Sequence, residues 1–505
     1  MPTIKRSKLQ HLTIIFLAAL ILAACNPAPL PPTATPAPAA HSPSTLSPVA
    51  APPPTASPTP LSPTATPIPS PAPSPSPTPS SGGLSAGDPY APELGNTGYD
   101  VQHYTIQLQL DPSKTLVEGV TTIEAASDVH NLVGISLDFA GFEISELTVD
   151  GDPAGFSRQD GKLLVDLPRP LSAGETFSVQ IAYHGSPTTE SSPYVPFVHH
   201  LGLQFLGSSL FAVAEPDGAH YWFPSNDHPR DKATFRFEVA VPEGLTAVAN
   251  GLLVDVYTAE NTTTFVWEHD FPMATYLATV AVGEYERVES YSPDGVLLRH
   301  YVFPDLWEEF EQAASVTGEA IDWMGEIFGP YPFEAFGFVT IRVVRASLET
   351  QTMVILSENM LNEETVIHEI THIWFGDWVS MESWADMWHN EGFAIYISLM
   401  WQTRDNPETL NYYMQNLTAK IRENDTGNPL GDLPPQRLFG YDSYNKGAAM
   451  IHALRLEVGD EAFFSGLRLY FERYGGGTAS REEFIEVMEE ASGLQLDAFF
   501  EAWLE

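Results

Sequence analysis

The chain carries a single cysteine, Cys25, among 505 residues. No intramolecular disulfide can staple it, so stability must come from an ordinary buried core, which a chain of this length can build. Residues 26–87 contain no Asp, Glu, Lys or Arg. They are almost wholly Pro, Ala, Ser and Thr, with steps such as S-P-S-P-T-P, and such a composition cannot form a packed core. The apolar run near the start, residues 12–24, is 13 residues long, short of the roughly 20 that a spanning helix needs. Basic residues are also scarce, 23 against 65 acidic, for a formal charge of −42. That excess excludes nucleic acid as a partner, because phosphate is repelled. It suits solubility at an exposed surface and would attract cationic peptides.

The first residues have the order of an export signal. Lys5, Arg6 and Lys8 form a basic start, an apolar stretch follows, and Leu22-Ala23-Ala24-Cys25 resembles the bacterial lipoprotein box. We expect a signal peptide over residues 1–24 and lipid attachment at Cys25. The protein would then be exported and lipid-anchored on the outer face of a bacterial membrane. Residues 25–88 would form a semi-rigid polyproline tether, rising about 3.1 Å per residue and reaching up to roughly 190 Å. From residue 88 onward lie 20 basic and 65 acidic residues, a formal charge of −45.

The densest chemical signal is H-E-I-T-H at residues 368–372, followed after eighteen residues by the Glu of N-E-G-F-A, Glu391. His368 and His372, four apart, project from one face of a helix about 40° apart, and Glu369 lies about 100° round from His368. Two imidazoles and a carboxylate fill three positions of a tetrahedral zinc and leave the fourth for water, the arrangement of a catalytic site rather than a structural one. Glu369 is then placed to take that water's proton during attack on a peptide carbonyl. Asn362 reads as the helix N-cap, Glu363 and Glu364 suit its positive end, and Gly376 reads as its C′ stop. Val366, Ile367, Ile370, Ile373 and Trp374 form an apolar stripe that turns the histidines toward a cleft.

At these residues the chain resembles the aminopeptidase N-like zinc peptidases, a gluzincin family. The resemblance runs through H-E-I-T-H-I-W-F-G-D-W-V and W-H-N-E-G-F-A, and covers roughly residues 95–505. Y-N-K-G at 444–447 is similar to the family's Tyr-x-Lys-Gly, which implies that Tyr444 hydrogen-bonds the oxygen of the tetrahedral intermediate. A-S-L-E-T at 346–350 stands where the family has Gly-x-Met-Glu-Asn, which implies that Glu349 binds the substrate's α-amine and that Ala346 and Ser347 line the substrate backbone. Ala346 and Thr350 depart from the usual Gly and Asn. Upstream, the segment ending F-P-S-N-D-H-P-R-D-K-A-T-F resembles the family's F-P-x-x-D-x-P-x-x-K-A-x-F, and Glu215, eight residues before Phe223, falls where a second amine-binding residue is found. Outside this pattern Glu349 and Glu215 would read as surface carboxylates. Asp386 reads either as an acceptor for a ligand histidine or as a solvated loop residue.

Period-two alternation in residues 99–120, 163–167, 177–183, 233–241 and 263–269, separated by turns such as D-P-S-K and D-G-D-P, predicts an all-β domain. Helical periodicity dominates from Leu306, with one short β region at 336–357. The expected fold is multidomain: an N-terminal all-β, sandwich-like domain over residues 89–290, then a thermolysin-like α+β catalytic domain over 291–505. The expected function is a zinc-dependent aminopeptidase, with one Zn2+ per chain acting on extracellular peptides. Members of the family usually continue into a helical domain covering the cleft, whereas this sequence ends at F-F-E-A-W-L-E. An open-cleft zinc endopeptidase or oligopeptidase is therefore an alternative, and a non-catalytic surface binding module is a third.

Overall fold

The structure, a computed structural model, describes residues 80–187, 191–195, 200–342, 346–423 and 427–505. The expected signal peptide, Cys25 and nearly all of the tether lie outside the described residues. None of the described helices is long and apolar enough to cross a membrane.

The first half is β. An eight-stranded sheet runs, edge to edge, through Leu252–Ala259, Thr262–Ala274, Lys232–Pro242, Tyr99–Leu110, Val117–Ser127, Thr176–Gly185, Glu143–Val149 and Asp152–Pro153. Its neighbours are antiparallel except Tyr99–Leu110 and Lys232–Pro242, which are parallel. The alternation predicted here is realised: in Tyr99–Leu110, Val101, Tyr104, Ile106, Leu108 and Leu110 are buried, while Gln102, Gln107 and Gln109 face solvent. Two further four-stranded sheets, one including Leu132–Asp138 and Lys162–Leu171 and the other Ser209–Val213 and Val280–Gly283, complete this domain.

The second half is α+β. Its four-stranded sheet has the order Glu286–Tyr291, Leu297–Val302, Phe338–Ile341, Val354–Ser357. Glu286–Tyr291, all but its last residue inside the span expected for the N-terminal domain, pairs with this later sheet through Leu297–Val302. Helices Glu363–His372, Met387–Gln402, Gly447–Val458 and Asp460–Tyr474 pack into a core centred on Ile370, Trp374, Phe375, Phe393 and Phe484. The β domain's core continues into the second half through Met353, Ile355, Met381, Trp384, Met387 and Leu438. The two halves therefore share buried apolar surface, and the predicted site residues cluster beside it.

Candidate metal centre and substrate cleft

The helix Glu363–His372 starts as its sequence dictates. The Asn362 side chain accepts from the Thr365 N–H at 3.0 Å, and Glu363 and Glu364 occupy the first turn. Val366, Ile367 and Ile370 are buried in the helical core. The helix stops at His372, earlier than the Gly376 expected as its C′ residue. Gly376 instead has φ +126°, and a Cβ there would stand 2.9 Å from Asn390 Nδ2. It allows the loop after His372 to approach the helix Met387–Gln402, which carries Glu391.

That approach brings the three predicted ligands together. His368 Nε2 lies 3.3 Å from His372 Nε2 and 3.2 Å from Glu391 Oε2, and His372 Nε2 lies 3.6 Å from Glu391 Oε2. Donors about 2.0–2.1 Å from a tetrahedral zinc stand about 3.3–3.4 Å apart, so this triangle fits the ion. Glu391 Oε2 is buried and has no hydrogen-bond donor. His372 Nδ1 lies 3.1 Å from the Phe375 carbonyl, which accepts its N–H and leaves the Nε2 lone pair facing the triangle. Burial alone would push the Glu391 carboxyl up, but the adjacent His368 and His372 rings hold it at about 2. Among the described residues, this is the one cluster of His, Cys, Asp and Glu donors close enough to share a metal.

Around the triangle, acidic groups outnumber cations. Glu215, Glu349, Glu369, Asp377 and Glu391 are all buried. Burial raises Glu369 well above the usual carboxylate range. Glu215 is raised likewise by burial and then by Glu349, against which it lies. Glu215 Oε1 and Glu349 Oε1 are both buried with no donor, and Glu349 Oε1 is 4.0 Å from His372 Nδ1. Orphaned buried acceptors of this kind are costly unless a ligand supplies the missing cation.

Tyr444 sits in a single π-turn, Asp442–Lys446, at the start of Gly447–Val458, an irregularity common at functional sites. Its ring is parallel to that of His368, centroids 6.1 Å apart. Burial, then Glu391, keeps its hydroxyl protonated, so it can donate. The glycines of the two motifs make this placement possible. A Cβ on Gly392 would lie 2.8 Å from the Gly447 carbonyl carbon, and one on Gly447 would lie 3.1 Å from Gly392 Cα. The helices touch backbone to backbone.

The segment bearing Glu349 meets Val354–Ser357 in a single antiparallel bridge, with reciprocal 2.9 Å hydrogen bonds between Leu348 and Ile355. Ala346 and Ser347 precede it and are half-buried, and Ser347 Oγ accepts from the Ser357 N–H at 3.3 Å. Asp386 plays neither role expected of it. It is buried, accepts from Trp388 Nε1 at 3.0 Å and pairs with Arg481 at 2.7 Å, and so anchors the Glu391 helix rather than a histidine.

Residues 100–277 match the peptidase M1 N-terminal domain, and residues 324–503 match the peptidase family M1 domain. A solved two-domain M1 zinc metallopeptidase, a variant bound to L-tryptophan, is 30% identical with a TM-score of 0.78. The match covers 83% of this chain and 98% of that one. The chain belongs to the M1 zinc metallopeptidase family. An M1 zinc metallopeptidase from Deinococcus radiodurans is similar at 29% identity and a TM-score of 0.77, over 83% and 97% of the two chains. A variant of the Deinococcus enzyme has been solved with a Tyr-Ser-Ala substrate. Among curated proteins, aminopeptidase N of Streptomyces lividans is 31% identical over 59% of this chain and 38% of its own length. Human glutamyl aminopeptidase is 28% identical over 57% and 33%. The chain thus spans under two-fifths of the length of these curated relatives.

Within this M1 framework, the structure adds residues that the sequence did not single out. Lys232 donates to the Asp377 carbonyl at 2.8 Å and the Gly477 carbonyl at 3.2 Å, which ties the loop after His372 to the β domain. Burial pushes its ammonium down to about 7, against the pull of Asp377. The Tyr276 hydroxyl donates to the Gly376 carbonyl at 3.4 Å. Asp377 and Lys232 each stand inside a quoted motif, but only the fold shows that they meet. Tyr276 carries no signal at all.

Proposed function

We propose that this M1 protein is a zinc-dependent aminopeptidase that removes the N-terminal residue from extracellular peptides. The observation that carries this reading is the pair of donor-less, buried oxygens on Glu215 and Glu349, set beside the metal triangle. An ammonium would satisfy both at once through charge-assisted hydrogen bonds. Anchoring the α-amine there fixes how far along the chain the scissile carbonyl can lie, so the cut falls after the first residue.

His368, His372 and Glu391 would hold the zinc, which when bound supplies Lewis acidity toward a carbonyl and a water. Glu369, buried and free to hold a proton, accepts one from the attacking water and passes it to the leaving amine. The Tyr444 hydroxyl donates to the carbonyl oxygen as negative charge develops on it. The peptide-bound Deinococcus relative and the aminopeptidase names of the curated relatives support the same reading.

Glu349→Ala tests it. Leaving the substrate ammonium poorly paired costs about 2–5 kcal/mol, so kcat/KM on free-amine substrates should fall by about one to three orders of magnitude, with zinc content unchanged. Full activity in a zinc-loaded Glu349→Ala protein would remove Glu349 from amine binding. We further propose that Cys25 carries the lipid that holds the enzyme at the outer face of a bacterial membrane. Cys25→Ser should release the exported protein into the soluble fraction, and membrane retention of that variant would contradict the anchor.

A further inference from the structure

The match to the M1 N-terminal domain begins at residue 100, yet residues 80–97 are not a loose leader. Ser80–Ser81 adds a parallel strand to Leu132–Asp138. Gly83 bridges Thr97. The Asn96 N–H donates to Asn226 Oδ1 at 2.6 Å, its amide donates to Asp138 Oδ2 at 2.8 Å, and Lys162 Nζ donates to the Gly95 carbonyl at 2.8 Å. Both ends of the segment are fixed to the β domain, and its middle crosses to the catalytic domain.

The crossing point is Asp88, which is buried. Its Oδ1 accepts from Ser383 Oγ at 2.9 Å and from the Tyr90 N–H at 2.9 Å. Its Oδ2 accepts from the Trp384 N–H at 3.0 Å and lies 3.2 Å from His228 Nε2. Arg230 adds a second staple, donating to the Ala86 carbonyl at 2.7 Å and the Glu382 carbonyl at 2.8 Å. Residues 383–386 form the turn that leads directly into Met387–Gln402, the helix of Glu391. Trp384 in that turn packs edge-on against Tyr276 at 5.2 Å, and Tyr276 bonds the Gly376 carbonyl just past His372. Asp88 therefore holds an element that borders two metal ligands, in a site where ligand placement must be kept within about 0.5 Å.

We propose that residues 80–97 are a strap across the domain junction, and that Asp88 is a positioning residue for the metal centre, setting Glu391 against His368 and His372 through the turn at residues 383–386. This rests on the zinc reading of that triangle. If that reading were wrong, the wild type itself would hold no stoichiometric zinc, which is a separate outcome from the one below.

The test is the rate at which full-length, zinc-loaded protein gives up its metal to excess chromogenic chelator, well below the unfolding temperature. Partners that orient ligands typically change metal affinity by about 10–100-fold, so Asp88→Ala should lose zinc about tenfold faster or more than wild type. Val179→Ala, which opens a cavity on the strand Thr176–Gly185, a strand that pairs with Val117–Ser127 and Glu143–Val149 and not with the strap, serves as the destabilised control and should release zinc at the wild-type rate. Should Asp88→Ala fail to fold, Ser383→Ala, which removes one donor from the turn, takes its place in the same assay. Zinc release at the wild-type rate from the folded variant, or equally fast release from Val179→Ala, would overturn the proposal and leave Asp88 a general stabilising residue.

Discussion

Gly392→Ala probes how the site is assembled. The added Cβ would meet Gly447 C at 2.8 Å, Gly447 Cα at 3.0 Å and Ala448 N at 3.1 Å, all backbone atoms of the helix that follows Tyr444. Ordinary contact is about 3.5–4.0 Å, so the helices must part by roughly 1 Å. Overpacking of this kind costs about 1–3 kcal/mol, partly offset by about 0.5–1 kcal/mol from the better helix propensity of Ala. The net stability loss is small, on the order of 1 kcal/mol. The catalytic loss should be larger. Glu391 precedes Gly392 directly and Tyr444 lies three residues before Gly447, so the separation moves the two groups apart, and a 1 Å misplacement can cost about a hundredfold. Gly325→Ala is the matched control: Gly325 is in a helix with nothing near its added Cβ, and the substitution should stabilise by about 0.4–1 kcal/mol without touching turnover. Thermal unfolding, bound zinc and kcat on an aminoacyl-arylamide would be measured for both. Wild-type kcat and stability in Gly392→Ala would refute the claim that glycine contact sets the geometry.

Three further outcomes follow from the same physics. Glu369→Gln should keep zinc and fold but lose turnover by orders of magnitude, since the amide cannot take up a proton; near-normal turnover in a zinc-loaded sample would end that assignment. His372→Ala should not retain stoichiometric zinc by elemental analysis, because it removes one corner of the donor triangle. For Asp88, burial pushes the carboxyl up, but the bonds from His228, Tyr90, Trp384 and Ser383 outweigh it and hold it at about 2, below the ordinary 3.8. A depressed folded value means that stability is present in full above the unfolded value and is lost as pH falls from about 4 toward 2, a contribution of about 2 kcal/mol. Urea unfolding of wild type and Asp88→Asn should therefore converge as pH falls through that window, and a difference independent of pH would contradict it.

What the sequence reveals here is what lies close along the chain. Asn362 caps its helix because the capping bond spans three residues, and the alternation in Tyr99–Leu110 reports a face that the strand itself defines. H-E-I-T-H and Glu391 are legible because a helix fixes the first two ligands and a family pattern supplies the third. The contacts that complete the site bring together residues far apart along the chain. Asp88 meets Trp384 across 296 positions, Lys232 meets Asp377 across 145, and Tyr276 meets Gly376 across 100. No local period encodes such meetings. Asp386 shows the same limit: its neighbours in sequence pointed to a histidine or to solvent, whereas Arg481, brought in by a later helix, is its partner.

The central claim is that buried carboxylates read a free N-terminus, and the most direct measurement compares initial rates of the wild-type, zinc-loaded protein on one peptide series with free and with acetylated amino termini. The account predicts that free peptides lose their first residue while the acetylated ones are poor substrates by about one to three orders of magnitude, the same ammonium term that Glu349→Ala removes. Internal cleavage of acetylated peptides at the rate of the free ones would contradict it and make the protein a zinc endopeptidase.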